Sequence, residues 1–195
     1  EGSNEDISSG VIPTGSWTHL ALTKSGTDLK MYLNGSEVFS GSYTNTNTYS
    51  RNIILGARKQ SSYTQLFNGL IDEVAIWDTA LSASDVTSIY NNGKVIDLSK
   101  SASYGTDRTG NLKLWLRCGD KAEPESTTAI ARQDFYTDFD GTDDYISTNA
   151  DSTLTDATYT FWSKADVTGQ NTGVFGHGSE SQGAFHFNWA TNQPL

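Results

Sequence analysis

At 195 residues the chain has the length of one large β domain or two small ones, and 35% hydrophobic residues are lean but sufficient for a sandwich core, so the composition is not that of a disordered chain. The formal charge of −10, from 23 acids against 13 bases with no Lys/Arg cluster, disfavours nucleic acid and anionic membrane surfaces as partners; acidic loops do offer the hard oxygens that Ca2+ takes. One cysteine, Cys118, excludes an intrachain disulfide framework and any multi-cysteine zinc site, and its neighbours Leu114, Trp115 and Leu116 mark it as a buried strand thiol.

With 18 glycines, 11% aromatic residues, only 18% charged residues and abundant Ser, Thr and Asn, the profile is that of short strands joined by tight turns. No run approaches the ~18 apolar residues needed to cross a bilayer. The chain opens on Glu1 without a signal-peptide pattern, which leads us to expect a processed product, an expression product or a fragment.

In chain order, WTHLALTK at 17–24 reads as a strand, residues 25–28 as a turn, and LKMYL at 29–33 as a strand alternating Leu29, Met31 and Leu33 with Lys30 and Tyr32. Asn34-Gly35 then gives the strongest short hairpin signal, a type I′ turn, returning through SEVFSGS. The turn also accounts for the Asn-Gly-Ser glycosylation sequon at 34–36. Residues 42–50 are a polar loop or edge, NIILGA at 52–57 a buried strand ended by Gly56, 58–66 another polar loop, and LIDEVAIW at 70–77 the next strand. Ser82 followed by Asp85 is a capping box opening a short helix, ASDVTSIYNN, that Gly93 can end. It is the one helix the pattern supports.

Residues 94–110 are polar and lack strand periodicity, which sets a boundary there. Strand patterns then restart: LKLWLRC at 112–118, DFDGTDDYIST at 138–148, TYTFWSKAD at 158–166, TGVFGHG at 172–178 and GAFHFNWA at 183–190.

The run GSWTHLALTKSGTDLKMYLNGSEV, then NIILGA and FNGLIDEVAIWDTALSASDVTSIYNNG, resembles the C-terminal half of a LamG-like, concanavalin A-like lectin/glucanase jelly-roll domain. NLKLWLRCGD, FDGTDDYIS, TYTFWSKAD and GVFGHG resemble the N-terminal half of such a domain. The resemblance implies an all-β fold, an antiparallel jelly-roll β-sandwich with one short helix. It divides the chain into 1–98 as a C-terminal half, 99–110 as a linker and 111–195 as an N-terminal half. Three arrangements fit this order: a slice across two tandem modules, a circularly permuted domain, or a unit completed by neighbouring chains. The slice needs the fewest assumptions, yet two half-sandwiches would each expose a core face, at about 25 cal/mol per Å2 of apolar area. If the chain is ordered alone, its halves complete each other.

Asp72 and Glu73 raise the question of catalysis. Strict alternation puts Leu70, Asp72, Val74 and Ile76 on one face and Ile71, Glu73, Ala75 and Trp77 on the other, so the two acids cannot share one glycosidic bond, for which a retaining pair needs carboxyls ~5 Å apart. A non-enzymatic chain is expected, with these acids held by structural hydrogen bonds. FDGTDDY supplies Asp140, Asp143 and Asp144 on a Gly-containing turn, outside EF-hand spacing but dense in oxygens. Together with Asp72 they are the candidate ligands for a structural Ca2+, the competing reading being a solvated turn. Metal sites of this general kind are what the resemblance implies. His19, His177 and His186 share no metal-ligand spacing, and no G-x-S-x-G elbow or phosphate-cradling loop occurs. Tyr43, Tyr49 and Tyr63 in loops, and Trp189 after a short strand, are candidate sugar platforms, whereas Trp17, Trp77, Trp115 and Trp162 sit in core patterns.

The expected function is a structural or adhesive module of an extracellular assembly, foremost a phage virion fibre, whose LamG-like modules this composition resembles. The partners are then other copies, neighbouring modules or cell-surface glycans, and the location extracellular or virion. A secreted carbohydrate-binding module is the second reading and a glucanase a distant third.

Overall fold

The computed structural model describes residues 13–42, 52–59, 62–117, 137–151, 155–166, 172–177 and 185–189. Cys118, Tyr43 and Tyr49 lie outside the described residues.

Strands β1 (Thr18–Ser25), β2 (Asp28–Leu33) and β3 (Ser36–Ser42) form the expected meander. Asn34 and Gly35 both take positive φ, 50° and 78°, as a type I′ turn requires. β4 (Asn52–Leu55) ends where Gly56 turns the chain with φ 78°. The expected polar loop at 58–66 contains a two-residue ribbon, β5 (Arg58–Lys59) with β6 (Tyr63–Thr64). β7 (Asn68–Trp77) leads into α1 (Ala83–Tyr90). Beyond residue 111 come β8 (Leu112–Leu116), β9 (Thr137–Asp140), β10 (Ile146–Asp151), β11 (Asp156–Ala165), β12 (Thr172–His177) and β13 (Phe185–Trp189).

All these pairings are antiparallel. One sheet runs β3-β2-β1-β11-β7-β8, with β9 also on β7; the other runs β10-β4-β12-β13. The two close over a common core in which Leu20, Leu22, Ile71, Val74, Phe139 and Phe161 from the first meet Ile53, Leu55 and Val174 from the second, with Phe67 from the connection before β7. Burying each such side chain contributes about 1.5–3 kcal/mol. This is the jelly-roll β-sandwich, and its ladders are shared by the segments before and after 94–110: β11 lies between β1 and β7, and β4 between β10 and β12.

The outer face of the larger sheet is covered too, which is why β1 is buried from Thr18 to Thr23 rather than on alternate residues. A second apolar cluster joins Ala21, Tyr32, Ala75 and Trp77 of the sheet to Val86 and Ile89 of α1 and to Leu98 and Tyr104. Tyr104 donates to the Leu98 carbonyl at 2.6 Å and accepts from Trp77 Nε1 at 3.3 Å, so residues 94–111 lie against the sheet. The capping box at Ser82 and Asp85 forms as expected. α1 stops earlier than Gly93, because Asn91 already takes the left-handed conformation with φ 45°.

Strict alternation does not hold in β7. Glu73 has φ 50°, and the register with β11 slips there, Asp72 opposing Trp162 while Ala75 opposes Thr160. The extra residue is a β-bulge, and it reverses the facing of everything before it. Ile71, expected with Ala75 and Trp77, therefore lies in the inter-sheet core with Val74 and Ile76. Asp72 shares the outer face with its partner Trp162, and Glu73 lines a cavity on that same face. The expected separation of the two acids onto opposite faces is thus corrected.

Candidate functional site

Two groups of polar residues stand out, one buried and one at the surface. In the buried group Asp72 and Glu73 are each 5% exposed. Asp72 Oδ1 accepts from the Glu73 amide at 2.7 Å, which holds the bulge. Glu73 Oε2 accepts from Trp115 Nε1 at 2.6 Å, and Oε1 lies 3.6 Å from Arg117 Nε. The Arg117 guanidinium in turn stacks 4.7 Å over the Trp115 ring, a cation–π contact. The adjoining cavity, lined by His19, Glu73, Ile89, Leu98, Thr160 and Trp162 among others, measures about 10 Å3, the room of one water. His19 is 1% exposed and packs against Trp162 at 5.1 Å and Tyr90 at 6.0 Å. A cavity of that size admits no sugar ring. Trp115 and Arg117, at alternate positions of LKLWLRC, are partners of Glu73 that sequence reasoning missed.

The surface group lies where the chain crosses from one sheet to the other. The turn 141–145 connects β9 of the larger sheet to β10 of the smaller, and the connection from β4 through β6 to β7 makes the reverse crossing. Asn68 ties the crossings together, donating from Nδ2 to the Asp140 carbonyl at 2.9 Å. Gly141, with φ 78°, is needed there twice over, since a Cβ would lie 2.9 Å from that of Asn68.

Asp140, Asp143 and Asp144 meet in this turn, each offering a carboxylate oxygen within 4.8 Å of the others. Asp140 Oδ1 accepts from the Thr142 amide at 2.7 Å, and Asp144 Oδ2 from the Asp140 amide at 3.1 Å. With Ca–O bonds of ~2.4 Å, oxygens within 4.8 Å of one another are close enough for these three surface carboxylates to hold one Ca2+ completed by water. Asp72 is not in this group; it is buried in β7.

Tyr63, a candidate sugar platform, stacks on Tyr145 with ring centroids 3.6 Å apart and planes 19° apart. Tyr145, directly after the acidic turn, is 43% exposed. The fold thereby joins an aromatic candidate to the acidic one through a residue that sequence reasoning had not singled out. Its signal was position: the first aromatic after the acids, entering β10. Trp189 lies on β13, and its side chain is outside the described residues, as are those of His177 and His186.

Of the tryptophans expected in the core, Trp77 and Trp162 are buried at 0% and 5%, while Trp17 and Trp115 are half-buried. Among the described residues no helix is long and apolar enough to cross a membrane.

Comparison with curated proteins and with solved structures finds no match. A match to a family supports a carbohydrate-binding or structural module, and covers the meander, β4, β7 and the start of α1. Residues 1–87 match the family Laminin_G_3, of the Concanavalin A-like lectin/glucanases superfamily.

Proposed function

We propose that the chain is a non-catalytic adhesive module of an extracellular assembly that engages surface glycans at the rim formed by Tyr63, Tyr145 and the turn 140–144. The observation that carries this reading is the meeting of a surface aromatic pair with three convergent carboxylates. A sugar presents an apolar C–H face to a tyrosine ring and hydroxyls to carboxylate oxygens or to a cation they hold. Ca2+ bound by Asp140, Asp143 and Asp144 supplies positive charge for hydroxyl oxygens and fixes the turn. The burial of Asp72 and Glu73 supports a role without hydrolysis, because an acid pair must reach the bond it cleaves.

The test is a glycan array read in Ca2+ and again in chelator. Micromolar binding that falls at least tenfold in Tyr145→Ala, with an unchanged melting temperature, is the expected result. Wild-type protein that retains no glycan, or binding untouched in both Tyr63→Ala and Tyr145→Ala, would overturn the reading; release of reducing sugar would overturn its non-catalytic part. A second measurement addresses the metal: Ca2+ raises the melting temperature of the wild type and leaves Asp140→Asn/Asp143→Asn unmoved.

The setting we propose is a virion fibre or comparable appendage. Its support is the resemblance of the FDGTDDY opening and Asn/Thr/Ser-rich loops to modules of phage structural proteins.

A further inference from the structure

Among the described strands, those beyond residue 111 pair chiefly with strands before residue 94. β8 and β9 pair with β7, β10 with β4, and β11 with both β1 and β7. The one ladder made within the later segment is β12 with β13, and β12 also pairs with β4. Conversely, among the described residues β4 and β7 find no ladder partner within the earlier segment. Each segment is therefore the template for the other. Taken apart, they leave unpaired backbone along β1, β4 and β7 and expose both sides of the core, Leu20, Leu22 and Ile71 on one segment, Phe139, Tyr159 and Phe161 on the other.

The connection between them makes hydrogen bonds and an ion pair to the earlier segment, while Val95, Ile96 and Leu98 also line a cavity with Thr160 and Trp162 of the later one. Tyr104 meets Trp77, and the Thr106 amide and Arg108 guanidinium meet Asp85 of α1, all within the earlier segment. These polar contacts do not depend on whose later segment follows, and the cavity is lined alike by Thr160 and Trp162 of either copy. Residues 94–111, 18 residues inclusive, would span roughly 60 Å if released and extended.

We infer that residues 13–93 and 112–189 are reciprocal binding surfaces, and that the partner they fit is a second copy of this chain, each copy taking the later segment of the other. The contacts made within one chain and between two are the same, so the balance is set by chain concentration against the effective concentration of a tethered segment, in the millimolar range for a short flexible link. Two-fold exchange closes a dimer, whereas head-to-tail exchange propagates as a fibre. The inference stands independently of the glycan site.

Two full-length variants test it. Leu22→Asp disables the earlier segment and Phe161→Asp the later one; each refolded alone is expected to aggregate. Refolded together from denaturant, they should give a soluble species holding one chain of each kind, with at least tenfold more folded protein than either alone. In parallel, wild-type chains carrying light and heavy isotopes are co-refolded at ~1 mM and followed by native mass spectrometry. Mixed two-chain species that persist for hours after dilution are expected, since exchange back requires unfolding. The inference is overturned if the variants fail to rescue each other and the wild type gives only single chains or dimers that dissociate on dilution.

Discussion

Asp85 has no exposed side-chain surface, and its two oxygens serve three residues at once. Oδ2 accepts from the Ser82 amide and hydroxyl, Oδ1 from the Thr106 amide at 2.9 Å, and Arg108 Nε lies 3.4 Å away. Burial works to raise its pKa, but the Ser82 and Thr106 hydrogen bonds and the Arg108 charge outweigh it and hold the carboxyl below its ordinary 3.8. A depressed folded-state value means that this stabilisation is complete above the unfolded-state value and is lost as pH falls through the folded one. Asp85→Asn is expected to cost about 1–3 kcal/mol at pH 7 and to flatten the acid limb of the stability curve below pH ~4, measured by urea unfolding across pH. The capping half of this arrangement was legible in the sequence as Ser82 and Asp85 three residues apart. The other half was not, because Thr106 and Arg108 lie more than twenty residues away and only packing brings them back. Gly56 makes a similar point. Its φ of 78° fits the expected strand end, but the Phe139 ring lying 2.2 Å from where a Cβ would stand belongs to the other segment. Gly56→Ala should therefore lower stability by more than the ~1 kcal/mol of a positive-φ glycine alone, measured by thermal unfolding.

Among elements, β7 departs furthest from its sequence pattern. LIDEVAIW reads as an alternating strand, and nothing local marks Glu73 as the residue that takes φ 50°. The bulge is held by Asp72 accepting from the Glu73 amide and by Trp115 of β8 and Arg117 just beyond its end, both meeting the Glu73 carboxylate. Trp115→Phe keeps the ring and removes the donor to a buried carboxylate; a loss of about 2 kcal/mol is expected in chemical denaturation. The meander, by contrast, was readable, since Asn34-Gly35 specifies its own turn. Gly35→Ala should destabilise it both through φ 78° and through contact with Tyr90, whose Cδ1 would lie 2.9 Å from the new methyl. The edge strand β3 carries its own bulge: Met31 opposes Phe39 and Tyr32 opposes Glu37, leaving Val38 as the extra residue, 40% exposed. A bulged edge is a poor template for strand addition, so association through β3 is disfavoured.

At the scale of the whole molecule, the two segments share both sheets and one core, and they should unfold together. Calorimetry is expected to show a single transition with matching calorimetric and van't Hoff enthalpies; two resolved transitions would contradict shared ladders. Phe161, 1% exposed between β1 and β7, is the natural probe of this coupling. Phe161→Ala should cost about 3–5 kcal/mol and lower the single transition as a unit. The outer face obeys the same logic, because Tyr104 and Leu98 cover the sheet that Ala21, Ala75 and Trp77 present from the earlier segment.

The sequence by itself determined the fold class, nearly every strand, the type I′ hairpin, the capped helix and the acidic turn, because each rests on signals a few residues apart: alternation, Asn-Gly, a Ser with Asp three residues on. Tertiary structure decided what depends on long-range contact. It put the bulge at Glu73 and so both acids on one face, laid residues 94–111 against the sheet, and stacked Tyr63 on Tyr145 beside Asp140, Asp143 and Asp144. Those outcomes turn on which distant strand supplies the next hydrogen-bond ladder, and a local pattern fixes a strand's periodicity without naming its partner.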